Sequence, residues 1–345
     1  MAVPQSFPEN TALAAGSIGL GETYMNKYWA CERLDEFFFR ILSADLEKTI
    51  NKNPGLIIQS IVSKLFNRQT QKLSFDNAQR HYDLGNDFFI RMLDKRLVYT
   101  CAYWKDAATL DEAQENKLDL VCRKLGLEPG MHIADIGCGW GSFAKFAAEK
   151  YKVRVTGVTV SKEQVALGNE LCAGLPVEIK LMDYRDLTGK FDRIASIGCM
   201  EHVGQKNHRS FMDIVNRCLA DDGLFLLHTI GNAITRTHPD PWMSKYIFPN
   251  YLIPSVQQVA RAFEGIFVLH DWQNIGPDYD KTCMAWYHKF INAYDDLKHR
   301  YDERFYRMWS YYLLLSAASF RAKRNFLWQI VLSKKQWNGV YQAVR

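Results

Sequence analysis

The sequence predicts an α/β protein in which a doubly wound, mostly parallel sheet follows a small helical N-terminal domain. Three observations predict this fold. From Met131 onward, short apolar segments alternate with helical segments, which is typical of βαβ units. The first apolar segment ends in a glycine-rich turn, as expected at the ligand-binding edge of an open sheet. Before about residue 75 the apolar residues instead recur at helical spacing.

Length and composition support this organisation. The chain has 345 residues, of which 48% are hydrophobic and 13% aromatic, so disordered and collagen-like classes are excluded. We expect a small helical domain over residues 1–75 and a larger α/β domain over residues 76–345. No apolar run approaches the roughly 18 residues that span a bilayer, and the N-terminus lacks the regions of a secretory signal. These features predict a cytoplasmic protein.

The cysteines and the charge distribution bear on whether the protein holds a metal or binds an anionic partner. The eight cysteines are scattered without a C-x-x-C pair, so we expect no metal centre. The net charge of +5 is distributed unevenly: residues 47–80 carry six Lys or Arg against two acids, and residues 321–345 carry six and no acid. After Pro54, apolar residues at helical spacing face away from basic ones. This pattern is consistent with a helix packed on a core, or with a basic surface that meets anionic phosphate of lipid or nucleic acid.

The strands and helices of the larger domain follow in order. Apolar runs predict five strands, at 132–136, 153–158, 177–182, 193–198 and 224–230. Helical patterns fall between them, at 142–151, 162–172 and 207–220. Two later runs, 266–272 and 326–333, could complete the sheet. Residues 231–255 are rich in proline and aromatics and follow a strand end, so they either build a substrate site or form a surface loop.

The glycine-rich turn after the first strand reads Asp135-Ile-Gly-Cys-Gly-Trp-Gly141. Its glycines let the backbone approach a ligand at a helix N-terminus, which suits a nucleotide-like cofactor. The spacing is not the G-x-G-x-x-G of dinucleotide sites, and Thr159 follows the second strand where a ribose-binding acid is common. The string instead resembles the first motif of class I S-adenosylmethionine methyltransferases, whose sheet is Rossmann-like.

Further strings resemble the cyclopropane-fatty-acyl-phospholipid synthase family, which includes the mycolic acid cyclopropane synthases. They are HYDLGNDFF (81–89), YTCAYW (99–104), MEHVG (200–204), LHTIG (227–231) and GPDYD (276–280). The resemblance implies transfer of a methylene group from S-adenosylmethionine to the cis double bond of unsaturated acyl chains in membrane phospholipids. The alkene would attack the sulfonium methyl, and the resulting carbocation would lose a proton to close the ring. Some members of the family make a methyl branch instead, which remains an alternative.

The resemblance also implies a set of cofactor-binding residues. These are Tyr99, Thr100, Ile133, Asp135, Gly137, Cys138, Gly139, Trp140, Gly141, Thr159, Val160, Gln164, Tyr184 and Arg185. Tyr82 is expected at the entrance for the acyl chain or the cofactor.

In this family the base resembles a bound bicarbonate ion. Its shell here would be Cys101, Glu201, His228, the backbone N–H of Ile230, and Tyr279. Taken without the resemblance, each side chain also has an ordinary structural interpretation. Cys101 fits a buried thiol and Glu201 a helix N-terminal acid. His228 fits a core histidine and Tyr279 a packing tyrosine. Some members have a cysteine where this chain has Ser316, so a thiol is not required there.

The resemblance implies a peripheral protein at the inner face of the cell membrane, with the N-terminal domain contacting membrane or a partner subunit. A homodimer is compatible with it. No string resembles an RNA-stacking motif or an N-P-P-Y-type amine site, so a nucleic acid is not the expected acceptor.

Overall fold

A computed structural model describes residues 16–44 and 85–345 of the chain. The helix predicted after Pro54 and the first four residues of the HYDLGNDFF string, which include Tyr82, lie outside the described residues. The boundary expected near residue 75 lies outside them as well.

The first described elements are helical. They are α1 (Gly16–Met25), α2 (Leu34–Ser43), α3 (Asn86–Met92) and α4 (Leu110–Leu125). A capping box begins α4: the Thr109 hydroxyl accepts from the Glu112 N–H at 3.2 Å, and the Glu112 carboxylate accepts from the Thr109 N–H at 3.0 Å. This cap fixes the start of α4 because it satisfies two N–H groups that otherwise lack partners. The start of α4 determines which of its side chains face the candidate site.

Strands and helices then alternate as predicted. The order is β1 (His132–Ile136), α5 (Ser142–Tyr151), β2 (Arg154–Thr159), α6 (Lys162–Leu171), β3 (Val177–Leu181), a 3₁₀ turn (Tyr184–Asp186), β4 (Phe191–Ile197), α7 (Met200–Val203), α8 (His208–Cys218) and β5 (Leu219–Gly231). β5 begins five residues before the predicted position, because Leu219 already pairs with Phe191 ahead of a register shift. The predicted α/β class is confirmed.

The remaining elements complete the sheet and cover it. They are α9 (Pro241–Tyr246), α10 (Val256–Phe263), β6 (Val268–Asn274), α11 (Gly276–Leu297), α12 (Glu303–Arg321) and β7 (Phe326–Ser333). The sheet order is β3-β2-β1-β4-β5-β7-β6. The first five strands are parallel, whereas β7 runs antiparallel to both of its neighbours. The carboxyl ends of β1, β4 and β5 therefore lie side by side at one edge, where parallel sheets form ligand sites.

The long helices α11 and α12 pack together beside this edge, and α1 and α2 pack against α12. Their contact is an aromatic core that includes the buried rings of Trp29, Phe38, Trp286 and Trp309. Trp242 of α9 is also buried, and a Cβ at Gly21 of α1 would lie 2.2 Å from its ring nitrogen. The described N-terminal residues 16–44 are thereby fixed against the helices that border the site.

Candidate active site

Two cavities meet at the carboxyl edge of the sheet. The smaller lies over the glycine-rich turn after β1 and is bordered by α4. The larger, of about 250 Å³, lies between the end of β5, the 231–255 segment, α11 and α12. Tyr99, Thr100 and Gly198 line both cavities. The two cavities are therefore adjacent and share part of their walls.

Eight of the residues expected to bind the cofactor line the smaller cavity. They are Tyr99, Thr100, Asp135, Gly137, Cys138, Gly139, Trp140 and Gln164. Ile133 instead faces the apolar core beneath the sheet, and Gly141 is the first residue before α5. The Thr159 hydroxyl bonds Gln164 Oε1 at 2.7 Å and so holds a side chain of the cavity wall.

Three further expected residues lie outside the lining of the smaller cavity. Val160 is in the turn between β2 and α6. Tyr184 and Arg185 follow β3, with the Arg185 guanidinium 4.8 Å from the centre of the Tyr184 ring. Arg185 also pairs with Asp183 at 2.8 Å. These contacts place an aromatic ring and a guanidinium group together after β3, at two of the positions expected to bind the cofactor.

Asp135 is the penultimate residue of β1, lines the smaller cavity and is 1% exposed. Its Oδ2 has no hydrogen-bond partner among the described residues. Burial raises the pKa of this carboxyl to about 7, and the positive charge of Lys117 acts in the opposite direction. The carboxylate is thus available to a cationic or hydrogen-bond-donating part of a ligand.

Lys117 is a site residue that the sequence reasoning missed. It projects from α4, is 1% exposed, and lines the smaller cavity. Its ammonium donates to the Thr100 hydroxyl at 2.9 Å. Burial lowers its pKa to about 8. Its position on the apolar stripe of α4, four residues after Ala113 and four before Val121, is the signal that could have identified it.

Glu201, at the start of α7, lines the larger cavity and is 4% exposed. Its Oε1 accepts the backbone N–H of Ile230 at 2.6 Å, while Oε2 has no partner within the described part of the chain. Burial raises the pKa of Glu201 to about 7. The N–H expected to face a bound anion therefore holds the Glu201 carboxylate in this structure.

His228 and Cys101 are fully buried and are not among the residues that line the two cavities. The His228 Nδ1 is 3.3 Å from the Gln329 amide nitrogen, and Nε2 has no partner in residues 16–44 and 85–345. Burial, followed by the charges of Lys117 and Lys124, moves the pKa of His228 well below its usual value, so the ring is neutral. Burial raises the pKa of Cys101 well above its usual value, so the group is a thiol.

Aromatic rings form much of the larger cavity's wall. They are Tyr99, Phe248, Tyr251, Tyr279, Tyr312 and Phe320. The hydroxyls of Tyr99 and Tyr312 are 3.0 Å apart, and the rings of Tyr279 and Phe320 are 4.5 Å apart. Phe248 and Tyr251 come from the 231–255 segment, so this segment lines the cavity rather than forming a loop remote from it.

Within the described ranges, no three His, Cys, Asp or Glu side chains are grouped as a metal site. The same ranges contain no helix that is both long and apolar enough to cross a membrane.

A glycine-rich turn after β1, a cavity over it and an antiparallel β7 beside β5 define a class I S-adenosylmethionine-dependent methyltransferase. Comparison with known proteins narrows the class. The family model for mycolic acid cyclopropane synthetase matches residues 69–330, and the chain belongs to this family. It is an enzyme of the cyclopropane-fatty-acyl-phospholipid synthase type.

Three relatives document the similarity. The chain is 49% identical over 331 residues to the cyclopropane-fatty-acyl-phospholipid synthase of Escherichia coli (strain K12), covering 96% of this chain and 87% of that protein. The mycolic acid cyclopropane synthase CmaA1, solved with SAH and CTAB, is 34% identical with a TM-score of 0.71, over 75% and 98% of the two chains. Coclaurine N-methyltransferase, 22% identical with a TM-score of 0.76 over 91% and 99%, shares the fold.

Proposed function

We propose that the protein transfers a methylene group from S-adenosylmethionine to the cis double bond of unsaturated acyl chains in membrane phospholipids, with bicarbonate as the base. The observation that supports this most directly is the meeting of a polar cofactor cavity with an aromatic cavity at Tyr99, Thr100 and Gly198. The products are a cyclopropane ring, S-adenosylhomocysteine and a proton.

The residues of the smaller cavity fit S-adenosylmethionine. The glycine turn gives space for a close backbone approach, since a Cβ at Gly139 would meet no atom within 4 Å. The unpartnered Oδ2 of Asp135 suits the ammonium of an amino acid. Gln164 and Trp140 supply the remaining polar and aromatic surface. When bound, the cofactor supplies an electrophilic sulfonium methyl group.

The larger cavity suits an acyl chain that becomes cationic during the reaction. Its tyrosine and phenylalanine faces carry negative π density, which stabilises a nearby cation. The cavity is bordered by α11, α12 and the 231–255 segment. A bound acyl chain that fills it would displace the water that could otherwise trap the cation as an alcohol.

Bicarbonate fits the buried polar atoms at the end of β5 in part. Glu201 Oε2 and His228 Nε2 are buried without partners among the described residues, and Tyr279 lines the cavity beside Glu201. With its pKa near 7, Glu201 can accept the hydroxyl of bicarbonate as a carboxylate or donate to the anion as an acid. His228 and Tyr279 would hold the anion as neutral donors, and bicarbonate would supply the base that removes the proton.

The test is to incubate the purified protein with methyl-labelled S-adenosylmethionine and vesicles of cis-unsaturated phospholipid. The released fatty acids are then analysed by mass spectrometry. We expect a mass gain of one methylene that resists hydrogenation. A methyl-branched or hydroxylated product would instead identify the branch-forming chemistry of the family. Bound cofactor without label in any lipid would refute the proposed acceptor.

We also propose peripheral association with the inner face of the cytoplasmic membrane. Basic residues that already pair within the chain are less available to an anionic membrane, so the contacts of the six Lys and Arg in residues 321–345 affect this proposal. Four of the six make contacts inside the chain: Arg321 with Asp280 and Asp35, Arg324 with the Leu42 carbonyl, Lys334 with Asp221, and Arg345 with Asp271. Each basic residue near an anionic surface contributes about 1 kcal/mol at most. Residues 47–80 therefore become the stronger candidates for the membrane contact.

Flotation with anionic against zwitterionic vesicles tests this association. We expect preferential recovery with anionic vesicles, weakening as salt is raised, because screening shortens the reach of surface charges. Equal recovery on both vesicle types at every salt concentration would refute electrostatic binding.

A further inference from the structure

Two lysines of α4 are buried on the same face of the helix, seven residues apart. Lys124 is paired with Asp271, its ammonium 3.0 Å from Oδ2, and lies away from both cavities. Lys117 lines the cofactor cavity and donates to Thr100 at 2.9 Å, but it forms no ion pair with a carboxylate of the described residues. Both lysines lie on α4 and are buried, but only Lys124 faces a carboxylate of the described residues.

A buried ammonium without a counter-ion is costly, because desolvation is not repaid by an opposite charge. Asp94 and Asp135 act on Lys117 only through longer-range attraction. Since Lys117 borders a cavity, the missing counter-charge can be supplied by an anionic part of the ligand that fills the cavity. The Thr100 hydroxyl accepts from this ammonium, and Thr100 is one of the three residues that line both cavities.

The strand order, together with the residues that the family resemblance assigns to the adenine and the ribose, indicates which part of the cofactor this is. The sheet runs β3-β2-β1-β4, with Tyr184 beyond β3, Gln164 beyond β2 and Asp135 at the end of β1. A cofactor with adenine beyond β3 and ribose beyond β2 brings its amino-acid end over β1. There the unpartnered Oδ2 of Asp135 and the ammonium of Lys117 offer opposite charges to a zwitterion.

We propose that Lys117 is a positioning residue for the amino-acid end of the cofactor: it orients the Thr100 hydroxyl and provides the counter-charge for the α-carboxylate. This inference rests on the cofactor assignment of the proposed function and is independent of the lipid acceptor. By fixing the α-carboxylate, Lys117 sets where the sulfonium lies relative to the larger cavity.

Calorimetric binding of two ligands tests the proposal without turnover. S-adenosylhomocysteine carries the amino-acid end, whereas 5′-methylthioadenosine lacks it. For Lys117→Met we expect affinity for S-adenosylhomocysteine to fall about tenfold to a hundredfold, the usual effect of losing a charged hydrogen bond. Affinity for 5′-methylthioadenosine should change by less than about twofold. Lys117→Gln keeps a donor for Thr100 without the charge and should give an intermediate loss.

Lys124→Gln is the matched control, since it removes a buried lysine from the same helix away from the cavity. We expect it to leave the ratio of the two affinities unchanged. Each variant is first checked for a cooperative thermal transition, and the ratio is measured on the folded protein. Equal losses for both ligands in Lys117→Met, or unchanged affinity for S-adenosylhomocysteine, would overturn the proposal. Wild-type protein that binds neither ligand would overturn the cofactor assignment with it.

Discussion

Replacing Glu201 by Gln should stabilise the protein at alkaline pH while abolishing most of its activity. The carboxyl is 4% exposed, and burial raises its pKa from the ordinary 4.5 to about 7. Because the folded state binds the proton more tightly than the unfolded chain, the stabilisation is fully present below pH 4.5. It is lost as the pH rises through about 7. The wild-type protein thus becomes less stable over this range on account of Glu201.

The size of the effect follows from these two pKa values. Between pH 5.5 and 8.5 the titration of Glu201 costs the folded state about 2 kcal/mol, at about 1.4 kcal/mol per pKa unit. The amide of Gln does not titrate, and its carbonyl can still accept the Ile230 N–H. The unfolding free energy of the variant should therefore rise relative to wild type by about 2 kcal/mol between these pH values.

Urea unfolding at pH 5.5 and 8.5 measures this difference, and comparing the two proteins at each pH cancels the other titrating groups. Methylene transfer by the variant should fall by about 10²-fold or more, as for loss of an acid–base group. A stability difference that does not change with pH would refute the burial argument. Normal turnover would refute the role of Glu201 in the anion shell.

Three further predictions concern neighbouring residues. Tyr279→Phe should lower turnover by about 10²-fold and leave cofactor affinity nearly unchanged. Tyr311 is a buried tyrosine outside the cavity, so Tyr311→Phe should keep near-normal turnover. An equal loss of turnover in both variants would contradict the role of Tyr279. Gly137→Ala should destabilise the fold, because φ is +80° and the added Cβ would lie 2.8 Å from a cysteine Cβ. Gly139 also has a positive φ, +58°, although an added Cβ would meet no atom within 4 Å. Gly139→Ala should therefore cost about 1–2 kcal/mol of stability and weaken S-adenosylhomocysteine binding in titration calorimetry. Lys124→Gln leaves Asp271 paired with Arg345, so it should lower the unfolding free energy by only about 1–2 kcal/mol with unchanged affinity for S-adenosylhomocysteine.

The parallel part of the fold was predictable because its strands are buried on both faces and read as short apolar runs. His132–Ile136 and its neighbours could be placed within one or two residues on this basis. The direction of β7 was not predictable, since an apolar run such as Phe326–Ser333 carries no information on its partners. The early start of β5 at Leu219 was missed because Asp221 and Asp222 interrupt its apolar pattern.

For the site, the glycine turn was predictable from its own residues, whereas Glu201, His228 and Tyr279 depended on the family resemblance. Separated by long stretches of sequence, these three have ordinary structural interpretations when taken alone. Lys117 was missed because a lysine in an amphipathic helix is normally solvated. Only the packing of α4 against β5 and the glycine turn shows that this lysine faces inward.

Proton linkage should reveal whether Asp135 and Lys117 both face the amino-acid end of the cofactor. The carboxyl has a pKa of about 7, so it is about half protonated at pH 7. A cofactor ammonium beside it favours the ionised form, and binding should release about half a proton. The lysine has a pKa of about 8, so at pH 8 it is about half deprotonated. A cofactor carboxylate beside it favours the ammonium, and binding should then take up about half a proton.

Net proton exchange on binding S-adenosylhomocysteine should therefore change sign between pH 7 and pH 8, from release to uptake. Calorimetry in buffers of low and high ionisation enthalpy measures the exchange directly. Lys117→Gln should abolish the uptake at pH 8 and retain the release at pH 7, because only the lysine is removed. The same sign at both pH values in wild type would mean that one of the two charges does not face the ligand. The response of the variant would identify which one.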